Sequence, residues 1–105
     1  MTKVSLLQAS NGRLCGYEIS GHSGYAPRGE DIVCAALSFL GTTCCNALES
    51  IAGVKPQTSV DEEKGHLKVV VQVSQLNSNT DVIFALFKQG ISDLSDSYPK
   101  YVSIL

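Results

Sequence analysis

Long apolar runs are missing from this chain of 105 residues, and the longest purely apolar stretches are only a few residues. A bilayer span needs about 20, so no membrane role is expected. The start is equally poor in leader features: Lys3 is followed by Val4-Ser5-Leu6-Leu7-Gln8, too short and alternating for the apolar segment of a secretion signal. A cytoplasmic protein is therefore expected. Excess positive charge is also lacking, with eight Lys and Arg against ten Asp and Glu and a formal net charge of −2. Direct nucleic-acid binding, which needs a basic footprint, is disfavoured. There are two histidines and no C-x-x-C among four cysteines, so no metal site and no cofactor is expected. Cys44 and Cys45 are adjacent on a predicted helix, which suits neither a disulfide nor a metal clip. Cys15, Cys44 and Cys45 read as small buried hydrophobes or inert thiols. The weak acidic clusters, Asp61-Glu62-Glu63 and Asp93 with Asp96, read as solvated surface.

What is present fits one domain, 1–105, with an apolar fraction of 44% and no linker or low-complexity tract. Lys3 to Ala9 alternates as a strand, Ser10-Asn11-Gly12-Arg13 turns the chain, and Leu14 to Ser20 returns antiparallel. A Gly/Pro-rich loop fills Gly21 to Glu30. Asp31 caps a helix running to about Ala52, with Val33, Leu37, Leu40, Cys44, Leu48 and Ile51 as its buried stripe. A neighbouring stripe, Cys34, Ser38, Gly41 and Cys45, is small and soft, as expected beside a cleft or another subunit. Val54 to Val60 is a short strand, with Pro56 pointing to an edge or an irregular start. His66 to Val73 alternates, with Leu67, Val69, Val71 and Val73 on one face. Asn77 to Thr80 offers caps for a second helix from about Asp81, with the stripe Phe84, Phe87, Ile91, Leu94 and Tyr98. Pro99 ends it, and Tyr101 to Leu105 is a last strand. The order β-β-α-β-β-α-β predicts an α+β two-layer sandwich, two helices on one face of a mainly antiparallel sheet.

Cys34 is the candidate nucleophile. Counted from Asp31 it lies in the first helical turn, where unpaired backbone N–H groups attract negative charge. Its alternative reading is a buried apolar cysteine. His22, at the end of the second strand, is the candidate acid/base partner, or else an exposed or capping histidine. Asp31 caps the helix or orients His22. Ser38, one turn past Cys34, lines the site or bonds back to a carbonyl. Gly21, Gly24 and Gly29 supply a flexible substrate loop; the last two lack the setting of a phosphate loop. Backbone N–H groups at the helix start are the expected oxyanion donors. His66 reads as a surface residue, and Gly90 as a point of close packing.

Gly21-His22, Gly29 before an acidic residue, and Asp31-Ile32-Val33-Cys34-Ala35-Ala36-Leu37-Ser38 together resemble the motif of the ribosomal-processing cysteine protease family, Prp. The likeness extends over the whole chain, through Tyr98-Pro99-Lys100-Tyr101-Val102, with Ser23 standing where the family more often carries alanine. The resemblance implies a cytoplasmic, homodimeric cysteine endopeptidase with Cys34 as nucleophile and His22 as acid/base. It implies one narrow substrate, the N-terminal extension of the large-subunit ribosomal protein whose mature end reaches the peptidyl transferase centre, cut before an aromatic pair. Two rivals stand beside it. One is a noncatalytic ribosome-associated module that holds a protein tail. The other is a thiol redox sensor, the weakest, because Cys45 is about 16 Å along the helix from Cys34.

Overall fold

The computed structural model describes all residues, 1–105. Strands β1 (Thr2–Gln8) and β2 (Leu14–Ser20) precede helix α1 (Ile32–Ser50). Strands β3 (Gln57–Asp61) and β4 (His66–Val70), helix α2 (Ser78–Ser97) and strand β5 (Val102–Ile104) follow. The sheet runs β3-β4-β2-β1-β5, antiparallel at every junction except β1 with β5, which is parallel. The expected α+β fold and element order are thus observed, and the sheet is mixed.

Alternation in the central strands sends Val4, Tyr17, Ile19 and Val69 into one core with Val33, Leu37, Leu48, Phe84, Phe87 and Ile91 of the helices. Tyr17 ties the layers together. Its ring stacks on Phe87 at 3.8 Å between centroids and meets Phe84 edge-on at 6.2 Å. Its hydroxyl donates to the Gly41 carbonyl of α1 at 2.5 Å, which satisfies the phenol where burial also resists its ionisation. The carbonyl is reachable because Gly41 brings α1 close to the sheet: a Cβ there would lie 2.9 Å from Ile19 and 2.8 Å from Leu67. Gly90 likewise seats Leu40 of α1 against α2, the close packing expected of it. Helix α1 is long and apolar enough to cross a membrane by length and composition, but its buried stripe packs on this sheet.

Several boundaries differ from the sequence reading. On α1, Leu40 is half-buried against Gly90, Gly41 takes a core position, and Ile51 is exposed where the helix has ended. Val54 is buried but lies outside β3, whose start is delayed past Pro56 to Gln57. β4 ends at Val70, and the alternation fails at Val73 because the chain turns there into a short 3₁₀ segment, Val73–Gln75. α2 begins three residues earlier than expected, since Asn77 caps it: its side chain accepts from Asn79 and Thr80, while Thr80 bonds back to the Asn77 N–H.

Replacing Tyr17 with Phe keeps the stacking and leaves the Gly41 carbonyl without its partner. Urea unfolding of Tyr17→Phe should show a loss of about 1–2 kcal/mol with an unchanged slope.

Candidate active site

Cys34 is placed by the cap of α1. Asp31 adopts an extended backbone, and its Oδ1 accepts from the Val33 and Cys34 N–H groups at 3.0 and 2.9 Å. Its other oxygen gathers the preceding loop, accepting from the Ser23 hydroxyl at 2.6 Å and from the Tyr25 and Ala26 N–H groups at 3.2 and 3.4 Å. One carboxylate therefore fastens loop to helix. Desolvation pushes the Asp31 carboxyl up, but the bonds from Ser23, Cys34 and Ala26 outweigh it and hold the group at about 2, below its ordinary 3.8.

That knot brings Ser23 onto the thiol. The Ser23 N–H donates to Cys34 Sγ at 3.4 Å, and Sγ lies 3.7 Å from the Ser23 hydroxyl oxygen. Ser23 is buried, with its hydroxyl satisfied by Asp31. Farther along, Tyr25 leans edge-on against Tyr98 at 5.7 Å and Tyr101 at 5.3 Å, which fixes the loop to the end of the chain. Gly21, Gly24 and Gly29 all have positive φ, so the path of the loop demands them.

His22 enters from the other side. Its Nε2 lies 2.7 Å from the backbone carbonyl of Glu63, in the turn between β3 and β4. No hydrogen bond joins His22 to Cys34; each faces the same cleft with its own partner. Asp31 has no bond to His22, so of its two readings the structure shows the cap. The expected oxyanion donors are also altered, because the Val33 and Cys34 N–H groups are engaged by Asp31. The Ser23 N–H is the backbone donor aimed at the sulfur.

The cleft holds about 760 Å³, and all seven candidate residues line it: Gly21, His22, Gly24, Gly29, Asp31, Cys34 and Ser38. Its floor is the inner face of the sheet, and its far wall is the exposed edge strand β3 with the β3–β4 turn. Val60, Asp61, Glu62, Gly65 and His66 therefore belong to the site region. Sequence reasoning missed them because the turn reads as a solvated charge cluster; Gly65 beside that cluster was the available signal. The soft stripe of α1 does border a cleft, through Cys34 and Ser38.

The sequence profile of the cysteine protease Prp family matches residues 1–103. The chain belongs to the Prp family. Among relatives, the ribosomal processing cysteine protease Prp of Bacillus subtilis is 26% identical over 66 residues, which cover 63% of this chain and 59% of that protein. The match thus spans less than two thirds of that Prp. Among solved structures, an essential ribosomal processing protease Prp from S. aureus with a covalently linked product peptide superposes with a TM-score of 0.90, at 21% identity, over 99% of this chain and 97% of that one. SMU.848 from Streptococcus mutans is 30% identical, with a TM-score of 0.86 over 99% of this chain and 91% of the other. A second S. aureus Prp structure, with a substrate peptide, gives 0.86 at 20% identity over 100% and 98% of the two chains. The fold is the Prp fold from end to end.

Asp31→Ala should cost about 1–2 kcal/mol at neutral pH. Because folding depresses this carboxyl, its contribution is complete above the ordinary 3.8 and disappears as pH falls through about 2. Acid titrations of wild type and variant, followed by circular dichroism, should converge over that window.

Proposed function

We propose that this protein is a site-specific cysteine endopeptidase that removes the N-terminal extension of a bacterial large-subunit ribosomal protein, the one whose mature end reaches the peptidyl transferase centre. The observation that carries the reading is Cys34 in the first turn of α1, opening with His22 into one peptide-sized cleft in a chain of the Prp family. The S. aureus Prp structures, which hold substrate and product peptides, give the cleft its proposed occupant. The proposed protein is cytoplasmic and homodimeric; its four free thiols suit a reducing compartment.

In the proposed reaction the imidazole of His22 takes the Cys34 thiol proton, and the thiolate attacks the scissile carbonyl carbon. The oxyanion forms near the N-terminus of α1, where the Ser23 N–H already contacts Sγ. Collapse breaks the C–N bond, and the imidazolium returns its proton to the leaving amine. Water, deprotonated by His22, then hydrolyses the thioester and restores the thiol. The His22 main chain is one peptide bond from the amide that touches the sulfur. In the proposed cycle the loop closes on the substrate and joins the pair.

A synthetic peptide spanning the extension junction of the host's own ribosomal protein tests this reading. Wild type should cut once, before the aromatic pair, with product masses that fix the bond. Cys34→Ala and His22→Ala should each reduce kcat/KM by about 1,000-fold or more. A peptide that binds wild type and stays intact would favour the noncatalytic binding module.

A further inference from the structure

The turn between β3 and β4 acts on His22 from outside its own segment. The register of β2 against β4 pairs Ser20 with His66, so the next residues, Gly21 and His22, run into the turn. The Gly21 N–H donates to the Gly65 carbonyl at 3.0 Å, and from the opposite side the Thr2 hydroxyl donates to the Gly21 carbonyl at 2.7 Å. The turn is closed internally as well. The Gly65 N–H reaches the Glu62 carbonyl at 3.2 Å, and the Lys64 N–H reaches Asp61 Oδ1 at 3.2 Å. The Glu63 carbonyl is therefore held in place before any substrate arrives.

A carbonyl has no hydrogen to give, so the 2.7 Å contact requires the proton on His22 Nε2. In the neutral ring Nδ1 is then the basic nitrogen. Gly65 makes room for that edge of the ring: a Cβ at this position would lie 3.0 Å from Nδ1 and 3.1 Å from Cε1. With a φ of +62°, the backbone there also disfavours any side chain.

We infer that the Glu63 backbone carbonyl and Gly65 are positioning elements for the histidine, the carbonyl holding Nε2–H so that Nδ1 is the nitrogen that exchanges a proton with Cys34. This rests on the reading of His22 as acid/base partner. A main-chain oxygen fills the place that an Asp or Asn side chain takes in a triad, and Asp31 is left to the helix cap. Nδ1 accepts the thiol proton and later delivers it to the leaving amine, while Nε2 keeps its own proton on Glu63 throughout. The ring pivots about the Nε2···O bond without exchanging nitrogens.

The test joins ¹⁵N spectra of labelled imidazole to kinetics. The two histidines are distinguished by the spectrum of His22→Ala. Wild type should show a resolved His22 N–H proton coupled to Nε2, with Nδ1 bare, both in the free enzyme and after alkylation of Cys34. Gly65→Asn tolerates the backbone angle but introduces the Cβ. It should lose that proton signal and about 100-fold in kcat/KM, with a Tm within a few degrees of wild type. Gly12→Asn is the matched control: its φ is +86° with nothing within 4 Å, and both readouts should be unchanged. A proton on Nδ1 in wild type, or a Gly65→Asn enzyme as fast as wild type, would overturn the inference. If His22→Ala cleaved normally, the dyad itself would fall, whatever the tautomer.

Discussion

The carboxylate of Asp31 is the constraint on which the candidate site depends. It is shared between two jobs that are usually separate: one oxygen caps α1, and the other ties down the loop that carries Ser23, Tyr25 and Ala26. Because Cys34 lies within the capped turn and Ser23 within the tied loop, the same group sets the distance between sulfur and amide. The charge on Asp31 opposes a thiolate electrostatically, yet it is already spent on five hydrogen bonds. The Ser23 amide supplies the opposing dipole at the sulfur itself.

Behind the site stands a core that keeps α1 from shifting. The stack of Tyr17 on Phe87, the bond from its hydroxyl to Gly41 and the seat of Leu40 on Gly90 lock both helices to the sheet and to each other. A nucleophile at a helix start gains precision from this, because its Cα moves only if the whole helix moves. The histidine is differently mounted. It stands just past the end of β2, between the β3–β4 turn and the loop, where a modest adjustment changes its reach while the sheet stays fixed. The thiol is thus carried by the helix and the imidazole by the turn, two separately held halves of the proposed dyad.

Local signals made much of this legible in the sequence. Asp31 as a cap, the stripe of α1, the glycine loop and the capping residues before α2 all depend on neighbours within a few positions. The short motif from Gly21 to Ser38 carried the family resemblance, and the match over residues 1–103 agrees with it. What stayed hidden is long-range. That β5 joins β1 in parallel follows from the return of α2, and three residues carry no sign of direction. That Asp61 and Glu62 border the cleft depends on the β2–β4 register, which no local pattern encodes. The engagement of the Cys34 amide by Asp31 was a direct consequence of the cap, and it removes that amide from the expected oxyanion donors.

The central claim, that one thiol among four is the nucleophile, is tested most directly by trapping. The protein would be treated with a peptide chloromethyl ketone built on the sequence before the proposed cut and then digested for peptide mass mapping. The account predicts a single adduct, on Cys34, that blocks cleavage and fails to form in the presence of excess uncut peptide. An adduct on Cys15, Cys44 or Cys45 that blocks cleavage while Cys34 remains free would contradict it.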